Sequence, residues 1–362
     1  IGLNMKTIIF ALILALTFVA IDAKKCRAIA FSGGGDKGAY EAAVYVGLVN
    51  NLPAEEVAYD VITGVSAGSL NTLGLSFFEP MDVVNASDFI FGLWNSIPDY
   101  DAYGNWPGGI LQGLFFKKGI FDLSPGYEWV NSQIGDKTVK RKVSFATVDA
   151  NGATYEVWDY NASYTQPADI VESAFASSSI PAAFPHVTRG EYELIDGGVI
   201  WNLDVASAVR RCKEIVDDDK DIIVDMVLCG NHKIDPAVDL DRFTTFQHLM
   251  RGIEVSSFYN GMSDYNSSTI LFPDVDFRYL IVPSQDISSG LLPLDFSQKQ
   301  VDKCFEVGKK DAENAVKLGS GGYRDIVLEY VERIQRGEDV WLNDMIEEKL
   351  LLKETGASTS SK

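Results

Sequence analysis

Histidine, cysteine and basic residues are scarce in this sequence. Its 362 residues include 3 His and 4 Cys, and 31 Lys and Arg stand against 51 Asp and Glu, which gives a formal net charge of −20. So acidic a chain is a poor partner for nucleic acid, and any contact with a membrane has to rely on apolar surface. No linker rich in proline, serine or glycine divides the chain, and nothing in it indicates a protein partner.

The four cysteines are too few to form a disulfide framework, so a hydrophobic core has to carry the fold. In an oxidising compartment they allow three complete pairings, and the sequence does not choose among them. Buried free thiols are an equally good interpretation. The cysteines are Cys26, Cys212, Cys229 and Cys304.

Residues 5–23, "MKTIIFALILALTFVAIDA", contain a methionine, one lysine, an apolar core and small residues near the end. This order is typical of a secretory signal peptide, here cleaved after Ala23. The apolar stretch at 7–20 is shorter than the roughly 20 residues that span a bilayer. Residues 1–4 precede the methionine and are not expected to be part of the fold. The predicted location is outside the cell or in the lumen of the secretory or endolysosomal pathway.

Three N-x-S/T sequons are compatible with glycosylation in that pathway. They lie at Asn85, Asn161 and Asn266.

Two segments repeat the order of buried strand, glycine-rich turn and helix. They are "CRAIAFSGGGDKGAYEAAVYVGLVNNL" and "YDVITGVSAGSLNTLGLSFF", and the repeat predicts an α/β fold with a parallel sheet covered by helices. "KVSFATVDANGATYEVWDY" alternates around Asn151-Gly152, which predicts a hairpin with a two-residue turn. Further strands are predicted in "YELIDGG", "DIIVDMVLCG" and "FRYLIVPS". Helices are predicted in "PADIVESAFASSS", in "DVASAVRRCKEIV" and from Ser297 onward.

Residues 81–127 are rich in glycine and aromatic residues and show no regular period, so we interpret them as an irregular insertion over one edge of the sheet. Aromatic residues there are usually core cover. The competing hypothesis is a lid or an interfacial surface beside the active site. The residues concerned are Phe89, Phe91, Trp94, Trp106, Leu114, Phe115 and Phe116.

The stretch "GVSAG" places Ser66 between Gly64 and Gly68, directly after an apolar run. This G-x-S-x-G pattern indicates a nucleophile elbow, in which a strand turns sharply into a helix and exposes the serine hydroxyl. An unaided serine is a poor nucleophile, so the chain has to supply a base.

The stretch "SGGGDKG" contains G-x-G-x-x-G, which also occurs in dinucleotide-binding folds. Those folds need an acidic residue at the carboxyl end of the second strand, where this chain has Thr63-Gly64. An oxyanion hole is the better interpretation, because successive N–H groups at a helix start converge on one anion. Lys37 either adds positive charge beside the hole or is simply solvated. The predicted hole comprises Gly33, Gly34, Gly35, Lys37 and Gly38.

Two bases compete for the proton of Ser66. Ser66, Asp196 and His232 follow the chain order of common Ser-Asp-His hydrolases. His186 lies in a proline-bounded loop, and His248 lies in a helical pattern. Against the triad, Asp196 closes an apolar strand, and the following Gly197 and Gly198 present its carboxylate at a sheet edge.

Four motifs occur in one order: "GGGDKG", "GVSAG", "ASSSIPAAF" and "DGG". In this order, over about residues 26 to 205, the sequence resembles the patatin-like phospholipase family. The resemblance implies a three-layer α/β/α fold with a mostly parallel sheet. We expect a single domain over 24–355, with the insertion at about 81–127 and a polar tail at 356–362.

The resemblance also implies hydrolysis of acyl esters by a dyad of Ser66 and Asp196, with N–H groups around Gly34 and Gly35 as oxyanion donors. The expected substrate is a lipid ester at a membrane or micelle surface, and no metal or cofactor is expected. Two alternatives remain: a Ser-His-Asp esterase that uses His232, and a lipid-binding or storage protein whose dyad is inactive.

Overall fold

The computed structural model describes residues 24–97, 101–164, 166–230, 240–289 and 293–355. The predicted signal peptide, His232 and the polar tail beyond residue 355 lie outside the described residues. Among the helices described, none is long and apolar enough to cross a membrane.

An eight-stranded mixed sheet forms the centre of the described structure. Its strands are β1 (Cys26–Phe31), β2 (Val61–Val65), β5 (Lys142–Asp149), β6 (Thr154–Tyr160), β7 (Val187–Arg189), β8 (Tyr192–Asp196), β9 (Ile222–Val227) and β10 (Asp276–Ile281), and β3 (Gly104–Asn105) and β4 (Phe121–Asp122) form a separate ribbon. The order across the sheet is β10-β9-β1-β2-β5-β8-β7, and β6 pairs with the other edge of β5. Neighbouring strands from β10 to β5 are parallel, and β5, β6, β7 and β8 pair antiparallel.

Helices flank the sheet, which confirms the predicted fold class. The central strands β2 and β9 are buried at every position, so both of their faces are covered. The helices are α1 (Gly38–Asn51), α2 (Ala67–Ser76), α3 (Val83–Ser96), α4 (Gly109–Phe116), α5 (Ser124–Ile134), α6 (Pro167–Ser177), α7 (Val205–Cys212), α8 (Thr245–Leu271), α9 (Gln298–Leu318), α10 (Gly322–Gln335) and α11 (Leu342–Thr355). One core cluster includes residues from Cys26 to Ile346.

The hairpin of β5 and β6 forms as predicted, but its turn does not. Asp149 pairs with Thr154, so the loop has four residues instead of two. The Asp149 carboxylate accepts N–H bonds from Asn151 (3.3 Å) and Gly152 (2.7 Å), which stabilises the wider turn. The residue with positive φ is Ala153, at 53°.

The interpretation of residues 81–127 as irregular is wrong, because this segment contains two complete helices, α3 and α4, and the start of α5. In α3 the buried residues Val83, Ala86, Ile90 and Trp94 follow a helical period. The aromatic residues alone do not show that period, since Phe91 is exposed and Phe89 is only half-buried. Core cover is therefore correct for Trp94.

A disulfide joins Cys26, the first residue of β1, to Cys212, the last residue of α7, with 5.5 Å between the Cα atoms. Cys229 and Cys304 are buried free thiols. Both interpretations of the cysteines thus apply, each to one pair.

Candidate active site

Ser66 occupies the sharp turn between β2 and α2. Its φ of 52° and ψ of −122° lie in a region that non-glycine residues rarely adopt, so the turn is strained. Gly64 and Gly68 make the turn compact: a Cβ at Gly64 would lie 2.5 Å from the Thr72 hydroxyl, and one at Gly68 would lie 2.5 Å from the Ser32 carbonyl. These contacts are the close packing that a nucleophile elbow requires.

Strand β5 brings Asp196 to Ser66. One edge of β5 pairs with β6, so β2 and β8 share the other edge. Val65 lies opposite Ala146, and Asp196 lies opposite the next residue, Thr147. The carboxyl ends of β2 and β8 therefore meet, and the Ser66 side chain lies close enough to Asp196 to lower the pKa of its carboxyl.

Burial controls the basicity of Asp196. It raises the pKa of the carboxyl from 3.8 to about 6, and it outweighs hydrogen bonds to Ser66 and Gly198 that lower the pKa. The Gly198 N–H donates to Asp196 Oδ1 at 2.8 Å. Asp196 is 5% exposed, so it is nearly dry and held by the turn that follows it.

Three consecutive serines at the end of α6 bind the backbone of both Ser66 and Asp196. The Ser66 N–H donates to the Ser177 hydroxyl at 2.9 Å, and the Ser178 hydroxyl donates to the Ser66 carbonyl at 2.9 Å. The Asp196 N–H donates to the Ser179 carbonyl at 3.0 Å. These bonds explain why "ASSSIPAAF" accompanies the other motifs.

The glycine loop leaves two backbone donors without an acceptor. Gly33 donates to Asn202 (3.2 Å), Asp36 to Pro293 (2.9 Å) and Lys37 to Gly34 (3.3 Å). Gly38 donates back to the carbonyls of Gly35 and Asp36. In the described part of the chain, the N–H groups of Gly34 and Gly35 have no acceptor. Of the five residues predicted for an oxyanion hole, Gly34 and Gly35 are therefore those whose backbone N–H groups remain available to a ligand.

Close packing explains why three positions of the loop are glycine. Gly35 has a φ of 64°, and a Cβ there would collide with the Pro293 carbonyl. A Cβ at Gly33 would lie 2.8 Å from the Ser66 Cβ, so Gly33 directly adjoins the nucleophile. A Cβ at Gly38 would lie 2.6 Å from the Trp94 ring.

A buried carboxyl group connects the glycine loop to the nucleophile helix. Glu41 accepts hydrogen bonds from the Ser32 hydroxyl (3.0 Å) and from Asn71 Nδ2 (3.1 Å). Burial raises the pKa of Glu41 well above its ordinary value. The Gly68 N–H donates to the Ser32 carbonyl at 3.0 Å, which ties the two turns together a second time.

The two described histidines have partners away from Ser66. His186 Nε2 lies 2.9 Å from Lys118 Nζ and 2.5 Å from Glu193 Oε2. The His248 ring contacts Phe243, with 5.5 Å between the ring centroids. His232, the histidine of the alternative triad, lies outside the described residues.

Asn202 is a site residue that the sequence analysis missed. Its Nδ2 donates to the Gly33 carbonyl at 3.0 Å, and its Oδ1 would lie 2.6 Å from a Cβ at Gly198. Asn202 therefore lies between the glycine loop and the turn that carries Asp196. Its distance of six residues from Asp196 was the only available signal, and a lone asparagine there has no meaning without the contact.

Comparison with known proteins gives the family. A model of the family described as patatin-like phospholipase matches residues 29–209, half of the chain. The chain therefore belongs to the patatin-like phospholipase family, whose members are carboxylic ester hydrolases. It is a lipid acyl hydrolase of that family. The matched residues include the glycine loop, Ser66 and Asp196.

Solved structures show only distant likeness. VipD from Legionella pneumophila aligns over 93% of this chain and 81% of its own, with 10% identity and a TM-score of 0.33. The ExoU–SpcU complex of the Pseudomonas aeruginosa type III secretion system aligns over 92% of this chain and 60% of its own, with 14% identity and a TM-score of 0.30. No curated protein matches the sequence.

Proposed function

We propose that the protein cleaves carboxylic esters of membrane lipids with Ser66 as nucleophile and Asp196 as its base. The observation that carries this proposal is that β5 brings Ser66 and Asp196 together, where the Ser66 side chain lowers the pKa of Asp196, beside two N–H groups of the glycine loop that have no acceptor among the described residues. A nucleophile, a base and oxyanion donors are the three parts that acyl transfer needs.

The reaction has two stages. Asp196 takes the Ser66 proton as the Ser66 oxygen attacks the ester carbonyl, and the N–H groups of Gly34 and Gly35 stabilise the oxyanion that forms. The proton then passes from Asp196 to the leaving alcohol, which departs as the acyl-serine forms. In the second stage Asp196 takes a proton from water while the water oxygen attacks the acyl group. The acyl group leaves as a carboxylic acid, and Asp196 returns the proton to the Ser66 oxygen.

A carboxylate is a weak base, and the site compensates in two ways. Burial raises the pKa of Asp196 to about 6, closer to neutral pH than an exposed aspartate. Oxyanion donors contribute the rest, because losing one such donor typically costs about 3 kcal/mol of transition-state stabilisation.

The nearness of Ser66 to Asp196 favours the dyad over a triad with His232. In a Ser-His-Asp triad the imidazole lies between the serine and the carboxylate. Here the Ser66 side chain acts directly on the pKa of Asp196, which supports proton transfer between these two residues. A storage protein with an inactive dyad is less favoured, because such a protein has no need for a strained serine or free N–H groups.

The disulfide supports a location in the secretory pathway. Disulfides persist in secreted and lumenal proteins and are rare in the cytosol. The Cys26–Cys212 bond therefore agrees with the predicted signal peptide. We propose that the protein meets its lipid substrate outside the cytosol, at a membrane or micelle surface.

Three variants test the dyad. Ser66→Ala and Asp196→Asn should each reduce ester hydrolysis by at least about a thousandfold, since the parts of a catalytic unit are not additive. His232→Ala should keep most of the activity. Hydrolysis of a soluble short-chain ester is the assay, and the melting temperature is the control for folding. Inactivation by His232→Ala at an unchanged melting temperature would favour the triad, and an inactive parent protein would favour storage.

A further inference from the structure

The apolar residues of α4 point outward. Ile110, Leu111, Leu114, Phe115 and Phe116 make up five of its eight residues and are 56 to 81% exposed. The buried position is Gly113, where a Cβ would collide with the backbone of Ile120. An ordinary surface helix buries its apolar side and exposes its polar side. Core cover is thus the wrong interpretation for Leu114, Phe115 and Phe116.

Hydrogen bonds join the chain after α4 to the loop that follows Ser179. Ile120 and Phe121, which follow α4, donate N–H bonds to the carbonyls of Ala182 and Ala183, both at 2.9 Å. That loop begins directly after Ser179, the residue whose carbonyl binds the Asp196 N–H. The chain after α4 is therefore joined to the segment that holds Asp196.

The chain before α4 is joined to the glycine loop. Tyr103 donates its hydroxyl hydrogen to the Leu294 carbonyl at 3.1 Å. The neighbouring Pro293 carbonyl accepts the Asp36 N–H at 2.9 Å, and the Asp295 N–H donates to the Asp36 carboxylate at 2.9 Å. Helix α4 thus lies on a segment fixed to both sides of the candidate active site.

The sequence of α4 and its immediate flanks is basic, although the chain as a whole carries −20. Between Asp101 and Asp122 the chain has two lysines, Lys117 and Lys118, and no acidic residue. Both lysines are exposed, and Lys117 Nζ lies 4.5 Å from the centre of the Trp106 ring. An apolar face followed by two cations is complementary to a bilayer with anionic headgroups.

We propose that the outward face of α4 is a membrane-docking surface that inserts into a lipid bilayer and brings the active site to its substrate. The inference rests on the proposed function for its purpose, but the docking itself needs no catalysis. Phe115 and Phe116 supply most of the apolar contact, and the two lysines add attraction to anionic lipid.

Vesicle sedimentation tests the surface without turnover. In a Ser66→Ala background, binding to vesicles of mixed phosphatidylcholine and phosphatidylserine is compared with and without the changes Phe115→Ser and Phe116→Ser. We expect binding to fall at least about tenfold, given the apolar area that two phenylalanines bury. A matched control changes Ile270 and Leu271 to serine, another adjacent pair of exposed apolar residues, at the end of α8. That pair should leave binding unchanged.

Hydrolysis by the active protein separates docking from catalysis and from folding. The Phe115→Ser, Phe116→Ser variant should lose activity on vesicles by a similar factor and retain its rate on a soluble short-chain ester and its melting temperature. Unchanged vesicle binding would overturn the proposal, as would an equal loss on both substrates. A parent dimer that this variant converts to a monomer would also overturn it, because a second copy would then cover the face. If binding falls as expected but the active protein hydrolyses neither substrate, the proposed function fails and the docking surface stands.

Discussion

Asn202 and Gly33 are joined by two hydrogen bonds that run in opposite directions. The Gly33 N–H donates to the Asn202 carbonyl at 3.2 Å, and Asn202 Nδ2 donates to the Gly33 carbonyl at 3.0 Å. The Asn202 N–H in turn donates to the Asp264 carboxylate at 2.7 Å. Asn202 therefore fixes the start of the glycine loop to the segment that follows Asp196, and we expect it to act as a positioning residue.

Asn202→Ala should lower kcat with little change in KM. Removing one neutral hydrogen bond costs about 1 kcal/mol, which corresponds to roughly fivefold in rate. Asn202→Asp should lose more, because a carboxylate repels the Gly33 carbonyl and adds negative charge near Asp196. That charge should also raise the pKa of Asp196 and move the acid limb of the pH profile to higher pH. If Asn202→Ala and Asn202→Asp had the same pH profile, Asn202 would have a packing role only.

Gly34→Ala should lower turnover by orders of magnitude through a collision behind the loop. A Cβ at Gly34 would meet the sulfur of Cys229, which is fully buried. The loop would have to shift, and its N–H groups would lose their direction. Adding Cys229→Ala makes space for the new methyl group, so the double variant should recover much of the rate. Gly35→Ala should show no such recovery, because its φ of 64° disfavours any side chain. Short-chain ester kinetics distinguish these outcomes.

The parts of the site that lie close together in the chain follow from local patterns, whereas those joined by the sheet do not. Gly64, Ser66 and Gly68 form one turn, so their spacing alone indicates the elbow. The pairing of Ser66 with Asp196 depends on the register of β8 with β5, so the sequence predicted it only through the family resemblance. The role of Asn202 follows from its hydrogen bonds with Gly33, which the sequence does not indicate.

Helices α3 and α4 were not predicted from the sequence, for two different physical reasons. In α3 the helical period of the buried positions comes mainly from small and aliphatic residues, and the aromatic residues of the segment do not follow it. In α4 the apolar residues are outward, so their number suggested core when their environment is solvent. Composition indicates how apolar a segment is, but it does not indicate which side faces the protein.

The kcat/KM for a soluble ester should fall below about pH 6. Asp196 accepts the Ser66 proton only when ionised, and its pKa is about 6. Below that value the rate should drop about tenfold per pH unit. Asp36 and Asp264 also have pKa values raised to about 6 by burial, so Asp36→Asn and Asp264→Asn are the controls. Both should retain the acid limb, and its loss in either variant would assign the limb to that residue instead.

The raised pKa of Asp196 also predicts that ionisation of this carboxyl lowers the stability of the folded protein at neutral pH. A carboxyl whose pKa is raised in the folded state binds its proton more tightly there than in the unfolded chain. Its contribution to stability is therefore full below the unfolded pKa of 3.8 and is lost as the pH rises through about 6. Asp196→Asn removes the ionisation, so it should raise the melting temperature at pH 7.5 more than at pH 4.5. An equal effect at both pH values would contradict the raised pKa.

The disulfide gives the last prediction. The protein should contain two free thiols when denatured without reductant, those of Cys229 and Cys304, and four after reduction. The Cys26–Cys212 bond closes a loop across 186 positions, and losing such a bond typically costs about 2–5 kcal/mol, largely because the unfolded chain gains freedom. Changing both cysteines to alanine should therefore lower the melting temperature, and the matched control Cys304→Ala, which removes a buried sulfur without a bond, should lower it less. Four free thiols before reduction would show that the bond does not form and would remove the support it lends to a secretory location.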